Sequence, residues 1–227
     1  MSQQDPFKPE IRAAFASPLV RYRGLMSDQE RETLREMFIR EASDPARGNA
    51  VLPGTVTREV FESEWDLFER DEPLLQRLRE YCLGGTLRAI RDINRYSQEQ
   101  MAQVRLRAQA WFHVTRGAGF AAPHNHPMAS WSGVFCVDPG DRDSEFQHNG
   151  VLRFFDPRTG SNMYMDAGNA QPQGVFAVGS QNFVLESGDL ILFPSYLLHE
   201  AAPYFGERER ITVAFNVQTQ GLVDFHL

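Results

Sequence analysis

The chain has 227 residues, 42% of them apolar, enough to bury a sizeable core in one large domain or two small ones. Thirty acidic residues against 23 basic ones give a formal net charge of −7, so no broad cationic surface exists for a phosphate backbone and nucleic acid is not an expected partner. The start of the chain carries Asp5, Lys8, Glu10 and Arg12 instead of an apolar signal stretch, and no later apolar run approaches membrane-spanning length, so a cytoplasmic protein with no membrane segment is expected.

No repeat, low-complexity tract or linker divides the chain, which is therefore read as a single domain over 1–227. Its N-terminal part, 1–103, holds an early strand and supporting helices. Ala14 to Tyr22 is plausible as a short strand, with Pro18 confining it to an edge or a strand start. Ser27 with Glu30 three residues on is a capping-box pattern, and Leu34, Met37, Phe38 and Ala42 recur at helical spacing, so a helix is expected from about Asp28 to Ala42. A loop through Gly48 and Gly54 leads to a second helical region that opens at Pro73. Leu74, Leu78, Tyr81, Cys82, Leu87, Ile90 and Ile93 form its apolar stripe. Cys82 and Cys136 have neither metal-pair nor disulfide spacing and are read as reduced packing residues.

From Val104 the period changes to two. Val104, Leu106, Ala108, Ala110, Phe112 and Val114 alternate with Arg105, Arg107, Gln109, Trp111, His113 and Thr115. Short strand candidates follow at Ser132–Val137, Val151–Phe155, Gly174–Val178, Phe183–Glu186, Asp189–Phe193 and Arg210–Val217, separated by Gly, Pro, Asp and Asn. The expected fold is α+β and mainly β, with N-terminal helices packed on a β-barrel or sandwich over 104–227.

The chemistry gathers in the same half. His124 and His126, one residue apart in an extended segment, point to the same side, so both imidazoles can reach one ion. His199 follows a strand that ends at Pro194 and is the third candidate ligand; three protein ligands leave positions open for substrate and oxygen. Eleven residues later Arg210 opens a strand whose one face carries Arg210, Thr212, Ala214 and Asn216. A guanidinium and a hydroxyl two residues apart on that face can jointly hold a carboxylate.

The ordered set resembles the Fe(II)/2-oxoglutarate-dependent dioxygenases, and within them a branch of 2OG-Fe(II) oxygenases with a His-x-His-Pro motif. The segments that carry the resemblance are Phe15 to Leu19, His124-Asn125-His126-Pro127, Ser132-Gly133-Val134, Asp156-Pro157-Arg158 and Arg210 to Asn216. The resemblance implies a double-stranded β-helix (a jelly-roll, cupin-like barrel), Fe(II) as cofactor, 2-oxoglutarate as cosubstrate and molecular oxygen as co-reactant. It assigns His124 and His199 as ligands and Arg210 with Thr212 as the cradle for the distal carboxylate of 2-oxoglutarate. His126 departs from the pattern, because most of the superfamily has Asp or Glu there, completing a 2-His-1-carboxylate triad. Glu200 is another source of a carboxylate, but adjacency to His199 sends the two side chains to opposite faces, so His126 is the expected third ligand. The implied reaction is hydroxylation of a C–H bond in a small molecule or peptide side chain. Two alternatives stand beside it: a cupin-type metal-dependent dioxygenase or isomerase without 2-oxoglutarate, and a non-catalytic binding barrel. The sequence does not determine the oligomeric state.

Overall fold

The computed structural model describes residues 10–48, 56–141 and 146–221 and is built on one curled sheet of nine antiparallel strands. The strands are β1 (Val20–Tyr22), β2 (Thr57–Glu62), β3 (Arg105–His124), β4 (Trp131–Asp138), β5 (Leu152–Phe154), β6 (Gln181–Phe183), β7 (Leu190–Pro194), β8 (His199–Tyr204) and β9 (Arg210–Gln220). Their order is β1-β7-β4-β9-β3-β8-β5-β6, with β2 also paired to β3.

The curl is made by β3. Its first part, 105–115, pairs with β9, while 119–124 pairs with β8. Between them Ala118 has φ 64°, and a Cβ on Gly119 would lie 2.6 Å from the carbonyl oxygens of Arg116 and Glu59. Glycine is thus required where the strand turns against its neighbour. The bend carries β8, β5 and β6 back over the inner face of the sheet, giving the expected half-barrel of the double-stranded β-helix type.

Two helices close the outer face. In α1 (Asp28–Ala42) Ser27 and Glu30 form the capping box, worth about 1 kcal/mol. In α2 (Pro73–Asn94) Pro73 occupies the first turn, and the helix ends at Arg95 in the left-handed region. Leu34, Phe38, Leu75, Leu78 and Cys82 are fully buried against the outer face of the sheet, α2 over β4 and β7 and α1 over β3 and β4, where Phe38 stacks on Phe112 of β3 at 4.1 Å. Each such side chain contributes about 1.5–3 kcal/mol. A second core of Cys136, Leu152, Phe154, Leu185, Ile191, Phe193 and Leu197 fills the inside of the curl. The alternation in β3 thus separates two tasks, with even residues facing the helices and Trp111, His113 and Thr115 facing the interior cavity.

Several boundaries differ from expectation. The early strand is confined to Val20–Tyr22, and Phe15, with φ 60°, lies outside the extended region of a regular strand. Gly174–Phe176 forms a 3-10 turn, and the neighbouring strand is Gln181–Phe183. Residues 49–55 of the Gly48–Gly54 loop lie outside the described residues. No helix among the described residues is long and apolar enough to cross a membrane.

Candidate active site

The bend in β3 sets His124 opposite His199 in the β3–β8 ladder. Directly paired residues have Cβ atoms about 5 Å apart, so the two imidazoles become cross-strand neighbours, with ring centroids 4.3 Å apart. His126, two residues beyond the end of β3, is held by its backbone N–H, which donates to the carbonyl of Ser195 at 2.9 Å in the turn that precedes β8. Its ring lies 5.0 Å from that of His124 and 5.1 Å from that of His199. One nitrogen from each of the three rings lies within 4.8 Å of the others. Among the described residues this is the one such group of three potential metal-ligating side chains.

Burial keeps these imidazoles neutral. It pushes His199 down to about 3 and His126 down to about 4, and lowers His124 as well, with the neighbouring histidines adding to the effect at His199 and His126. The Nδ1 of His124 lies 2.7 Å from the carbonyl of Ala122, and that of His199 lies 2.9 Å from the carbonyl of Leu197. A carbonyl only accepts, so each Nδ1 carries the proton and each Nε2 keeps its lone pair. Three convergent neutral imidazoles fit a divalent transition metal. Glu200 is directed away and pairs with Arg153.

Below the histidines a narrow cavity runs down to Arg210 and Thr212, flanked by Trp111, His113, Ser132 and Phe193. Arg210 and Thr212 are 5% and 3% exposed, on the face of β9 that pairs with Thr115 and His113 of β3. A Cβ on Gly150, which has φ 60°, would come within 3.1 Å of Arg210 Cδ, so the glycine makes room for the guanidinium. Among the described residues no carboxylate or hydrogen-bond acceptor engages Arg210, and burial lowers its pKa. A buried cation without a partner is costly, so this cavity is built to receive an anion.

The structure brings together all five residues singled out in the sequence: His124, His126, His199, Arg210 and Thr212 line one cavity. Asp156 and Arg158 are not among them; they pair with each other at 2.7 Å and shape a turn. Trp131 is core. Trp111 is a cavity wall, with its ring 6.2 Å from His126 and its indole nitrogen 3.1 Å from Nε2 of His113. Two residues escaped the sequence reading. Glu62 of β2 lies 2.9 Å from that same His113 nitrogen and accepts from the indole of Trp65 at 3.2 Å. β2 carries no clean alternation, and only its pairing with β3 reveals the role.

The fold and the cluster define a double-stranded β-helix protein with a metal-ready, anion-receiving pocket. Residues 109–216 match the family described as "Putative 2OG-Fe(II) oxygenase", a span that contains all five site residues. No curated protein matches the sequence. Among solved structures, a prolyl-4-hydroxylase of Pseudomonas putida matches with TM-score 0.55 at 13% identity, covering 89% of this chain and 93% of that one. A prolyl hydroxylase of Trichoplax adhaerens, in complex with a hypoxia inducible factor peptide, matches with TM-score 0.56 at 10% identity, covering 88% and 83%. HygX of Streptomyces hygroscopicus, with nickel and 2-oxoglutarate bound, matches with TM-score 0.54 at 15% identity, covering 92% and 85%. At these identities the likeness concerns the fold.

Proposed function

We propose that this oxygenase uses Fe(II), held by His124, His126 and His199, and 2-oxoglutarate, held at its distal carboxylate by Arg210 and Thr212, to hydroxylate a C–H bond of a small molecule or peptide side chain. The observation that carries this reading is the unpartnered, buried guanidinium of Arg210 in the same cavity as three neutral histidines. A cupin-type metal site alone gives that cation no task, whereas a dicarboxylate spanning the cavity would supply both the missing counter-charge and a metal-binding end. HygX, of the same fold, carries nickel and 2-oxoglutarate.

Bound together, the metal and cosubstrate supply oxygen activation coupled to decarboxylation, so that R–H, oxygen and 2-oxoglutarate give R–OH, succinate and carbon dioxide. The chain contributes position and shielding. The carbonyls of Ala122 and Leu197 hold the Nδ1 protons of His124 and His199, fixing both ring orientations. Trp111 and Phe193 cover the flanks of the histidines and exclude water from them. Arg210 and Thr212 anchor the far end of the cosubstrate and fix its register in the cavity.

The test is 2-oxoglutarate binding by the Fe(II)-loaded protein, followed by oxygen-dependent release of succinate. His199→Ala should lose metal and 2-oxoglutarate together, and Arg210→Ala should keep metal and lose 2-oxoglutarate. Absence of 2-oxoglutarate binding by the iron-loaded wild type overturns the proposal.

A further inference from the structure

His126 is shared by two compartments. On one side lies the cavity that descends to Arg210; on the other an open cleft is lined by Trp65, Arg107, Gln109, Asn125, Asn216 and Gln218, with Met128 at its edge. No other residue lines both. The cleft continues the same strand faces outward, since Gln109 pairs with Asn216 and Arg107 with Gln218 in the β3–β9 ladder. A chain with 30 acidic residues places none in this lining, and Arg107 has no ion-pair partner among the described residues.

The amides have set directions. The Ser132 hydroxyl donates to Oδ1 of Asn216 at 2.7 Å, which turns the Asn216 amide nitrogen towards the cleft as a donor. Gln218 Nε2 donates to the carbonyl of Met128 at 2.8 Å, and Asn125 Nδ2 to that of Tyr196 at 3.4 Å, leaving both side-chain oxygens as acceptors. The cleft therefore offers a guanidinium and an amide donor for an anion, acceptors for N–H or O–H groups, and the indole of Trp65 for an apolar part.

We infer that the substrate oxidised at this site is an organic acid of peptide-like polarity, lying in the cleft with its carboxylate at Arg107 and its N–H groups on the amide oxygens. This rests on the oxygenase reading above for the chemistry, though not for the binding. Trp111, whose ring abuts His126, and Arg107 are four residues apart on β3, about 13 Å along an extended strand. The carboxylate is thus held on the order of 10 Å from the carbon presented at the histidines, and oxidation falls on the end of the substrate remote from its acid group.

The test uses N-acetyl dipeptides, which span about 10 Å when extended, as matched pairs with a free carboxylate or a C-terminal primary amide. Binding to the anaerobic, Fe(II)- and 2-oxoglutarate-loaded protein is followed by tryptophan fluorescence, since Trp65 lines the cleft and Trp111 the cavity beside it. The acids should bind about fivefold more tightly than their amides, the size of an ion pair at an exposed arginine. Arg107→Gln should erase that difference, weakening the acids by more than the amides, and Arg107→Lys should retain part of it. Equal affinity of acids and amides, persistence of the difference in Arg107→Gln, or no binding of any acid at millimolar concentration overturns the inference. Repeating the titration without 2-oxoglutarate and with Arg210→Ala separates the two readings. If 2-oxoglutarate fails to bind while the acid preference persists, the oxygenase proposal falls and the cleft assignment stands.

Discussion

Replacing Arg210 by Met should make the ligand-free protein more stable and abolish its use of 2-oxoglutarate. The guanidinium is 5% exposed, engages no acceptor among the described residues, and has its pKa lowered by burial. Methionine keeps most of the alkyl stem and removes the charge, a kind of exchange that relieves about 1–4 kcal/mol in buried sites. In a chain of this size each kcal/mol moves the melting temperature by about 2–4 °C. The metal-free variant should therefore melt several degrees above wild type in a buffer without carboxylates or phosphate. With Fe(II) or another divalent metal and saturating 2-oxoglutarate the order reverses, because only the wild type gains a charge-assisted bidentate contact, worth about 3 kcal/mol or roughly 100-fold in affinity. The assay is a pair of melting curves with and without cosubstrate, alongside calorimetric titration of 2-oxoglutarate. A variant that is less stable than wild type when free, or that still gains stability from 2-oxoglutarate, refutes the reasoning that this arginine waits for an anion.

Other outcomes follow from the same geometry. Burial holds His199 neutral at about 3, so the unfolded chain, with an ordinary value near 6.5, takes up the proton first and stability falls as pH drops below about 6.5. From pH 7 to 5 this one group costs about 2 kcal/mol, with His126 acting in the same direction, and urea denaturation of the metal-free protein at the two pH values should show the loss; a flat profile contradicts it. His126→Ala should weaken Fe(II) binding by more than about 100-fold while His126→Asp stays within about tenfold of wild type, measured by competition with a chromogenic chelator; equal affinity in the Ala variant removes His126 from the ligand set. Gly133→Ala should destabilise by about 2–3 kcal/mol or prevent folding, because the added Cβ would sit 2.2 Å from Phe215 Cζ and 2.9 Å from Leu192 Cδ2 where β4 passes between β9 and β7.

The elements that read clearly in the sequence are those whose periodicity is set by one unbroken surface. Helix α1 matches the span expected from Ser27, Glu30 and the Leu34–Phe38 stripe, and the alternation around 110–115 and 210–215 sorts core residues such as Phe112 and Val213 from cavity residues such as His113 and Thr212. The same local rules hide β2 and β8. In β2 the left-handed Glu59 interrupts the pleat, and β8 is a short His-Glu-Ala-Ala-Pro-Tyr run whose Pro203 reads as a break. The far half of β3 was lost for a related reason, because the alternation stops at Gly117–Gly119, where the strand turns from β9 to β8. The five cavity residues could be found since their spacing follows single strands and turns. Trp65, Glu62 and the outward cleft could not, since they join the site only through pairings between distant segments.

That difference bears on how the site works. The residues legible from local spacing lie on the cavity side of the histidines: two imidazoles at and just beyond the end of β3, a third across the ladder on β8, and a cation at the start of β9. The residues that emerge only in three dimensions lie largely on the cleft side, on Trp65, on the turn after His124 and on the outer ends of β3 and β9. His126 belongs to both sets, since its spacing from His124 is local while its place is fixed by the Ser195 carbonyl across the barrel mouth. A neutral imidazole at this position, in place of a carboxylate, leaves the mouth without an acidic side chain between the two arginines. An anionic group in the cleft then meets no carboxylate in either lining as it approaches the histidines, and Glu62, set behind His113 and Trp65, is the acidic side chain it must pass.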